Sequence, residues 1–80
     1  MTVMMINTRV IIEFSRMGID PKAPIVISRD GDDRDSTVYA VEDNKFFDRN
    51  FDTITKEEYN KRIKRMTSKK KEVTISLDSY

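Results

Sequence analysis

Residues 24–41, PIVISRDGDDRDSTVYAV, are the stretch of sequence that decides the fold of this 80-residue chain. Residues 24–29 and 36–41 are rich in the β-branched and aromatic side chains that favour strands. Residues 30–35 between them are rich in Asp and include a Gly, and both residue types are common in turns. The stretch therefore predicts an antiparallel hairpin with a long, acidic connecting loop.

The clearest helix signal follows this hairpin and begins at Thr55. Thr55 and Glu58 have the spacing of a capping box, in which each side chain binds the backbone amide of the other residue. Tyr59, Ile63 and Met66 then recur at the i, i+4 and i+7 spacing of one apolar stripe. We expect a helix that ends at Met66 or within the two residues after it.

The N-terminal segment fits either of two structures. Its apolar residues at positions 3, 6, 10, 14 and 17 lie on one helical face, and Gly18 followed by Ile19 resembles a helix stop signal. Val10, Ile11 and Ile12 favour a strand instead. We expect a helix over at least residues 8–17, with a strand as the alternative.

The remaining segments complete a predicted α+β domain. Residues 72–77 alternate between polar and apolar side chains, which predicts a half-buried strand. Residues 43–53 have neither the helical nor the strand period, so we expect an irregular connector. The predicted order is α-β-β-α-β in a single domain over residues 1–80. Three strands would form a mainly antiparallel sheet with the helices on one face.

The composition excludes several kinds of functional site. Cysteine is absent, which excludes disulfides, thiolate metal sites and cysteine nucleophiles. Histidine is absent too, which removes the most common general base near neutral pH and a common zinc ligand. With only two Gly residues, the chain has no glycine-rich phosphate loop. We therefore expect a protein that is not an enzyme and that uses no cofactor or metal.

The N-terminus lacks the basic segment and the cleavage site of a signal peptide. The apolar runs at residues 3–6 and 10–12 are too short to span a bilayer. The chain begins at Met1 without a tag-like sequence. We expect a complete small reading frame whose product is cytoplasmic and does not bind membranes.

Charge is distributed unevenly along the chain. The net charge of +1 combines −3 over residues 1–55 with +4 over residues 56–80. The excess of positive charge comes from a basic segment, residues 61–71, that contains Lys61, Arg62, Lys64, Arg65, Lys69, Lys70 and Lys71. Such a run is typical of a surface that binds an acidic protein or nucleic-acid phosphates.

A structural explanation covers only part of this basic segment. In the helix, Glu57 with Lys61 and Glu58 with Arg62 have the favourable i, i+4 spacing of ion pairs, as on any solvated helix surface. The three consecutive lysines at positions 69–71 repel one another and have no such explanation. The sequence therefore predicts a binding role most strongly for these lysines.

The acidic residues between the two hairpin strands are Asp30, Asp32, Asp33 and Asp35. Their spacing resembles a calcium loop, but the Gly stands at the wrong position and no Glu follows before Glu42. We expect these residues to form the hairpin loop rather than a metal site. A second interpretation is an acidic protrusion that contacts a basic partner.

Three phenylalanines in the connector also have two interpretations. Phe46, Phe47 and Phe51 would most often fill the core, since a small domain needs all the apolar burial it has. They could otherwise serve as exposed anchors for a partner.

The functional hypothesis is a small non-enzymatic regulatory or inhibitor protein of the kind that phages and other mobile elements encode. It would bind an acidic face of a larger host protein through the basic segment, with the acidic loop and the phenylalanines as secondary contacts. The alternative is a nucleic-acid-binding or transcription-regulatory domain that uses the same basic residues on phosphates.

Overall fold

A computed structural model of the chain describes residues 8–42, 44–66 and 69–79. These residues form two α-helices, five strands and one 3₁₀ helix. In chain order they are α1 (Thr8–Arg16), β1 (Ile25–Asp30), β2 (Asp33–Val41), β3 (Lys45–Phe47), β4 (Thr53–Ile54), α2 (Lys56–Arg65), β5 (Lys70–Ile75) and the 3₁₀ helix (Leu77–Ser79). Within this part of the chain, no helix is long and apolar enough to cross a membrane.

The strands form one antiparallel sheet in the order β4-β3-β2-β1-β5. The α+β class is confirmed, but the prediction of three strands is wrong because the connector supplies β3 and β4. Phe47 of β3 pairs with Tyr39 of β2, and Phe46 pairs with Ile54 of β4. These strands have three and two residues. They are too short to show a period of two in the sequence.

The central hairpin is confirmed, but its connecting loop is much shorter than predicted. Asp30 pairs with Asp33, which leaves only Gly31 and Asp32 in the turn. Gly31 has φ +57°, a conformation that glycine adopts without steric cost. The strand register shifts between Ser28 and Asp30. At this point the Ser36 hydroxyl accepts from the Asp30 amide at 2.8 Å and donates to the Asp33 carbonyl at 2.7 Å. Ser36 therefore braces a bulge in the hairpin.

Helix α1 covers one face of the sheet. Alternating residues of β1 and β2 contact it, and its Phe14 is fully buried. The helix prediction is confirmed from Thr8, while positions 1–7 lie outside the described residues. Gly18, at φ +78°, donates to the Ser15 carbonyl, and the Ile19 amide donates to the Phe14 carbonyl, so the predicted stop signal ends the helix. The core on this face contains Val10, Phe14, Ile19, Ile25, Ile27, Tyr39, Val41, Phe47, Ile75 and Leu77.

Helix α2 covers the opposite face, so the prediction that both helices share one face is wrong. Phe46 points away from α1, because it is adjacent to Phe47, and its ring lies 4.6 Å from that of Tyr59 on α2. The predicted cap is confirmed by the Glu58 amide, which donates to Thr55 Oγ1 at 3.0 Å. No residue of α2 is fully buried, and Tyr59, Ile63 and Met66 remain half-buried.

The last strand begins and ends two residues earlier than predicted. It spans Lys70–Ile75 and pairs with β1 along its whole length. Lys70 and Lys71 are therefore sheet residues at one edge, while Leu77 belongs to the 3₁₀ helix and is still buried. The sequence predicts a later start for this strand because Lys has a low strand propensity, so Lys70 and Lys71 do not resemble strand residues.

Candidate functional site

The fold divides the predicted basic segment into two parts. Lys61, Arg62, Lys64 and Arg65 belong to α2, whereas Lys70 and Lys71 belong to β5. Positions 67 and 68 between these parts lie outside the described residues. The two parts have different surroundings.

Lys61, Lys64 and Arg65 are exposed on α2. Their i, i+3 and i+4 spacing places them on one helix face, opposite the apolar stripe. Within the part of the chain that the structure describes, no carboxylate forms an ion pair with any of the three. The predicted pair of Glu57 with Lys61 is not among the ion pairs observed. We call these three side chains the α2 cationic face.

Arg62 differs from its neighbours because it is held within the protein. Its Nε donates to Glu58 Oε2 at 2.7 Å, which confirms the predicted i, i+4 pair. This hydrogen bond lowers the pKa of the Glu58 carboxyl, and the charges of Lys61 and Arg65 act in the same direction. Arg62 therefore has a structural role in α2.

A polar crevice of about 260 Å³ separates α2 from the central hairpin. It contains charges of both signs, and a carboxylate stands near each arginine that lines it. The lining residues are Asp30, Asp35, Ser36, Glu58, Arg62, Arg65 and Met66. Because carboxylates and guanidinium groups both line it, the crevice does not select for either sign of ligand.

The lysines of β5 lie beside the acidic turn of the hairpin. Lys71 Nζ is 2.7 Å from Asp32 Oδ1, and Lys70 is paired in register with Asp30. The Gly31 amide donates to the Lys69 carbonyl at 2.8 Å. The interpretation that these lysines gain nothing structurally is therefore wrong, because the Lys71 side chain binds Asp32 of the acidic turn and the Lys69 carbonyl accepts from the amide of Gly31.

The acidic residues themselves bind groups of this chain. The hydrogen bond from Lys71 lowers the pKa of the Asp32 carboxyl, and the charges of Arg29 and Lys69 add to this effect. Asp33 Oδ1 accepts from the Asp35 amide at 3.0 Å, and Asp35 forms an ion pair with Arg49. Over residues 8–42, 44–66 and 69–79, no group of three potential metal ligands is present.

The core interpretation is confirmed for two of the three phenylalanines. Phe46 and Phe47 are buried on opposite faces of the sheet. Phe51 is half-buried, with its ring stacked on Tyr39 at 5.3 Å and the Arg9 guanidinium carbon 5.6 Å from its centre. It therefore lies at the boundary between the core and the surface.

A second cationic surface, which sequence reasoning missed, lies on the face covered by α1. Arg29 follows Ile25 and Ile27 at the strand period and pairs in register with Lys71, so both side chains lie on this face. Burial raises the pKa of the Tyr39 hydroxyl, while the charges of Arg9 and Arg29 oppose that rise. Arg9 and Arg29 therefore lie near the Tyr39 hydroxyl, and Lys71 lies opposite Arg29 on the neighbouring strand. The strand period alone could have placed Arg29 there.

Comparison with known proteins gives no independent assignment. No protein-family model matches this chain, and no match was found among curated proteins or solved structures. The two cationic surfaces are therefore the features from which a function can be proposed.

Proposed function

We propose that this chain is a small non-enzymatic regulatory or inhibitor protein that binds an acidic face of a larger protein through the α2 cationic face. The observation that supports this proposal is that Lys61, Lys64 and Arg65 are exposed on one side of a helix without ion-pair partners among the described residues. Complementary charge of this kind accelerates association and determines which partners are accepted.

A contrast with β5 supports α2 over the lysines of residues 69–71 as the contact surface. Lys71 bonds to Asp32, and Lys70 lies 3.6 Å from Glu72, so a partner would have to displace both carboxylates. The α2 cations have no such competitors within 4.0 Å in the described ranges. Lys64 and Arg65 lie in the last turn, where the helix dipole favours a cation by only about 0.3–1 kcal/mol each. A binding role accounts for the cluster as a whole.

The first test is a pull-down from a lysate of the source cells, with the wild-type protein and with a Lys64→Glu/Arg65→Glu variant as baits. We expect a discrete protein to be recovered by the wild type with or without nuclease treatment, and not by the variant. The matched control is Arg16→Glu/Lys22→Glu. It makes the same change in charge at the last residue of α1 and in the turn that follows this helix. This control should recover the same protein as the wild type.

The second test measures association kinetics with the recovered protein. Reversing both charges should reduce the association rate at low salt by about tenfold or more, and the difference should shrink as salt rises. An unchanged association rate would remove the α2 cationic face from the interface. Recovery that disappears after nuclease treatment would instead assign the basic residues to nucleic acid.

A further inference from the structure

An open cavity of about 510 Å³ lies beside the C-terminus of α1, on the face of the sheet that this helix covers. Its walls include the apolar side chains of Met17, Ile19, Phe47 and Phe51. Ile19 and Phe47 belong to the core cluster, and Phe51 packs against it. Cavities of about 300–1,000 Å³ with mostly apolar walls are typical of binding sites for small molecules.

Met17 is the exposed apolar side chain of this cavity. It is 39% exposed, and Ile12 on α1 is the other large apolar side chain with comparable exposure in the described ranges. Covering such a side chain with an apolar ligand is favourable, and a flexible, polarisable thioether adapts well to aromatic rings. Together with the rings of Phe47 and Phe51, Met17 therefore provides a surface suited to an aromatic ligand.

The polar part of the lining has hydrogen-bonding groups but no unpaired charge. Lys45 is the one charged residue that lines the cavity within the described chain, and its Nζ lies 3.4 Å from Glu42 Oε2. Asn44 and Thr53 also line it, and their side chains form no hydrogen bond within the part of the chain that the structure describes. These two side chains can therefore bind a polar group of a ligand, whereas the lining does not select for an ionised one.

Two strained backbone positions flank the cavity. Glu42 has φ +54° and Phe51 has φ +66°, and they are the non-glycine residues with positive φ over the described ranges. Glu42 forms the ion pair with Lys45 at the polar part of the lining, and Phe51 lines the cavity directly. Such conformations cost free energy and cluster at ligand sites, where the surrounding structure maintains them. This observation does not depend on the size or the polarity of the cavity.

We propose that this cavity binds a small, neutral, aromatic molecule that carries one hydrogen-bonding group, such as a hydroxyl. The aromatic body contacts Met17, Phe47 and Phe51, and the polar group bonds to Asn44 or Thr53. The site lies on the other face of the sheet from the α2 cationic face. It therefore goes beyond the protein-binding role proposed above and does not depend on it.

The test is an NMR titration of the full chain with 2-naphthol that follows the backbone amides and the Met17 methyl group. Two charged probes of similar shape, 2-naphthoate and 2-naphthylmethylammonium, are titrated at the same ionic strength. We expect saturable shifts centred on Met17, Phe47 and Phe51 with 2-naphthol. Its affinity should exceed that of either charged probe by about tenfold or more, because an ionised group would lose water without gaining an unpaired partner.

Variants separate a built site from general adsorption to apolar surface. Met17→Lys should weaken the binding of 2-naphthol by about tenfold or more, because it replaces an apolar wall with a charge. Ile12→Lys is the matched control, since it changes the other exposed apolar residue in the same way outside the cavity, and it should bind like the wild type. Asn44→Ala/Thr53→Val should weaken binding by about three- to tenfold, because it removes the hydrogen-bonding groups. Circular dichroism establishes that each variant is folded.

Three results would overturn the proposal. One is the absence of a saturable response to 2-naphthol; shifts at the same residues on addition of the protein recovered by pull-down would then assign the cavity to a side chain of that protein. Another is tighter binding of either charged probe, which would contradict a neutral ligand. The third is an equal loss of affinity in Met17→Lys and in Ile12→Lys, which would indicate adventitious adsorption only.

Discussion

The two faces of the sheet are stabilised in different ways. On one face α1 buries Phe14 completely, and this ring makes edge contacts with Tyr39, Phe47 and Phe51 at 5.2–5.5 Å. On the other face, α2 has no fully buried residue and is defined by its Thr55 cap and by internal ion pairing. The α1 face therefore holds the fold together by packing. The α2 face depends on local helix signals, and its outer surface is exposed and carries Lys61, Lys64 and Arg65.

The largest expected effect comes from deleting the centre of the α1 core. Phe14→Ala should reduce the free energy of unfolding by about 3–5 kcal/mol, because it removes a buried ring and leaves a cavity. The corresponding change on the other face, Ile63→Ala, should cost only about 1 kcal/mol, since Ile63 is half-buried. Urea or guanidinium unfolding measures both values. Equal losses in the two variants would contradict the contrast between the faces.

The next effect concerns Phe51, a non-glycine residue at φ +66°. Asp48 Oδ1 accepts from the amides of Asn50 and Asp52, which holds this turn in place. The ring of Phe51 offsets the backbone strain by stacking on Tyr39. Phe51→Ala removes the ring but keeps the strain, whereas Phe51→Gly relieves the strain as well.

We therefore expect Phe51→Gly to be more stable than Phe51→Ala by about 1 kcal/mol, and both to be less stable than the wild type. Denaturant unfolding of the three proteins under identical conditions gives the order directly. If the alanine variant were the more stable of the two, the backbone strain would be negligible.

A smaller effect is expected at the cap of α2. Thr55→Ala should reduce the free energy of unfolding by about 1 kcal/mol, because the Glu58 amide loses its acceptor. Thr55→Ser is the matched control, since it keeps the hydroxyl oxygen and should be nearly neutral. If α2 were held by packing as α1 is, Thr55→Ala would have no measurable effect in thermal unfolding.

The elements that sequence predicts well are those determined by local signals. The capping box at Thr55 and the glycine stop at Gly18 act within a few residues, and both helices were located from them. Strands β3 and β4 depend on pairing with distant residues, such as Phe47 with Tyr39, and have no local period. Their existence was therefore not visible in the sequence.

The candidate site shows the same limit. The α2 cations could be identified from helical spacing alone, because they share one element. The cluster around Arg29 brings together α1, β1 and β5. Its members Arg9 and Lys71 are more than fifty residues apart in the sequence. The neutralisation of the acidic turn by Lys71 also depends on the pairing of β5 with β1. Only the sheet topology connects these positions.

The smallest expected effect is the pH dependence contributed by the exposed pair Asp32–Lys71. The pKa of the Asp32 carboxyl is lowered from its ordinary value of 3.8, chiefly by the hydrogen bond from Lys71. A carboxyl whose pKa is lower in the folded state stabilises the fold above its unfolded pKa and loses this contribution as pH falls through the folded pKa. Asp32→Asn removes the titrating group, so its melting temperature should be slightly below that of the wild type near neutral pH.

This difference between Asp32→Asn and the wild type should shrink as pH falls below 3.8, where the wild-type carboxyl also becomes protonated. Asp52→Asn is the matched control, because it makes the same change in charge in the turn between β3 and β4, away from Lys71. Thermal unfolding followed by circular dichroism across this pH range is the measurement. If the Asp32→Asn difference stayed constant with pH, the pair would contribute nothing through ionisation, and the lysines of β5 would be available to bind another anion.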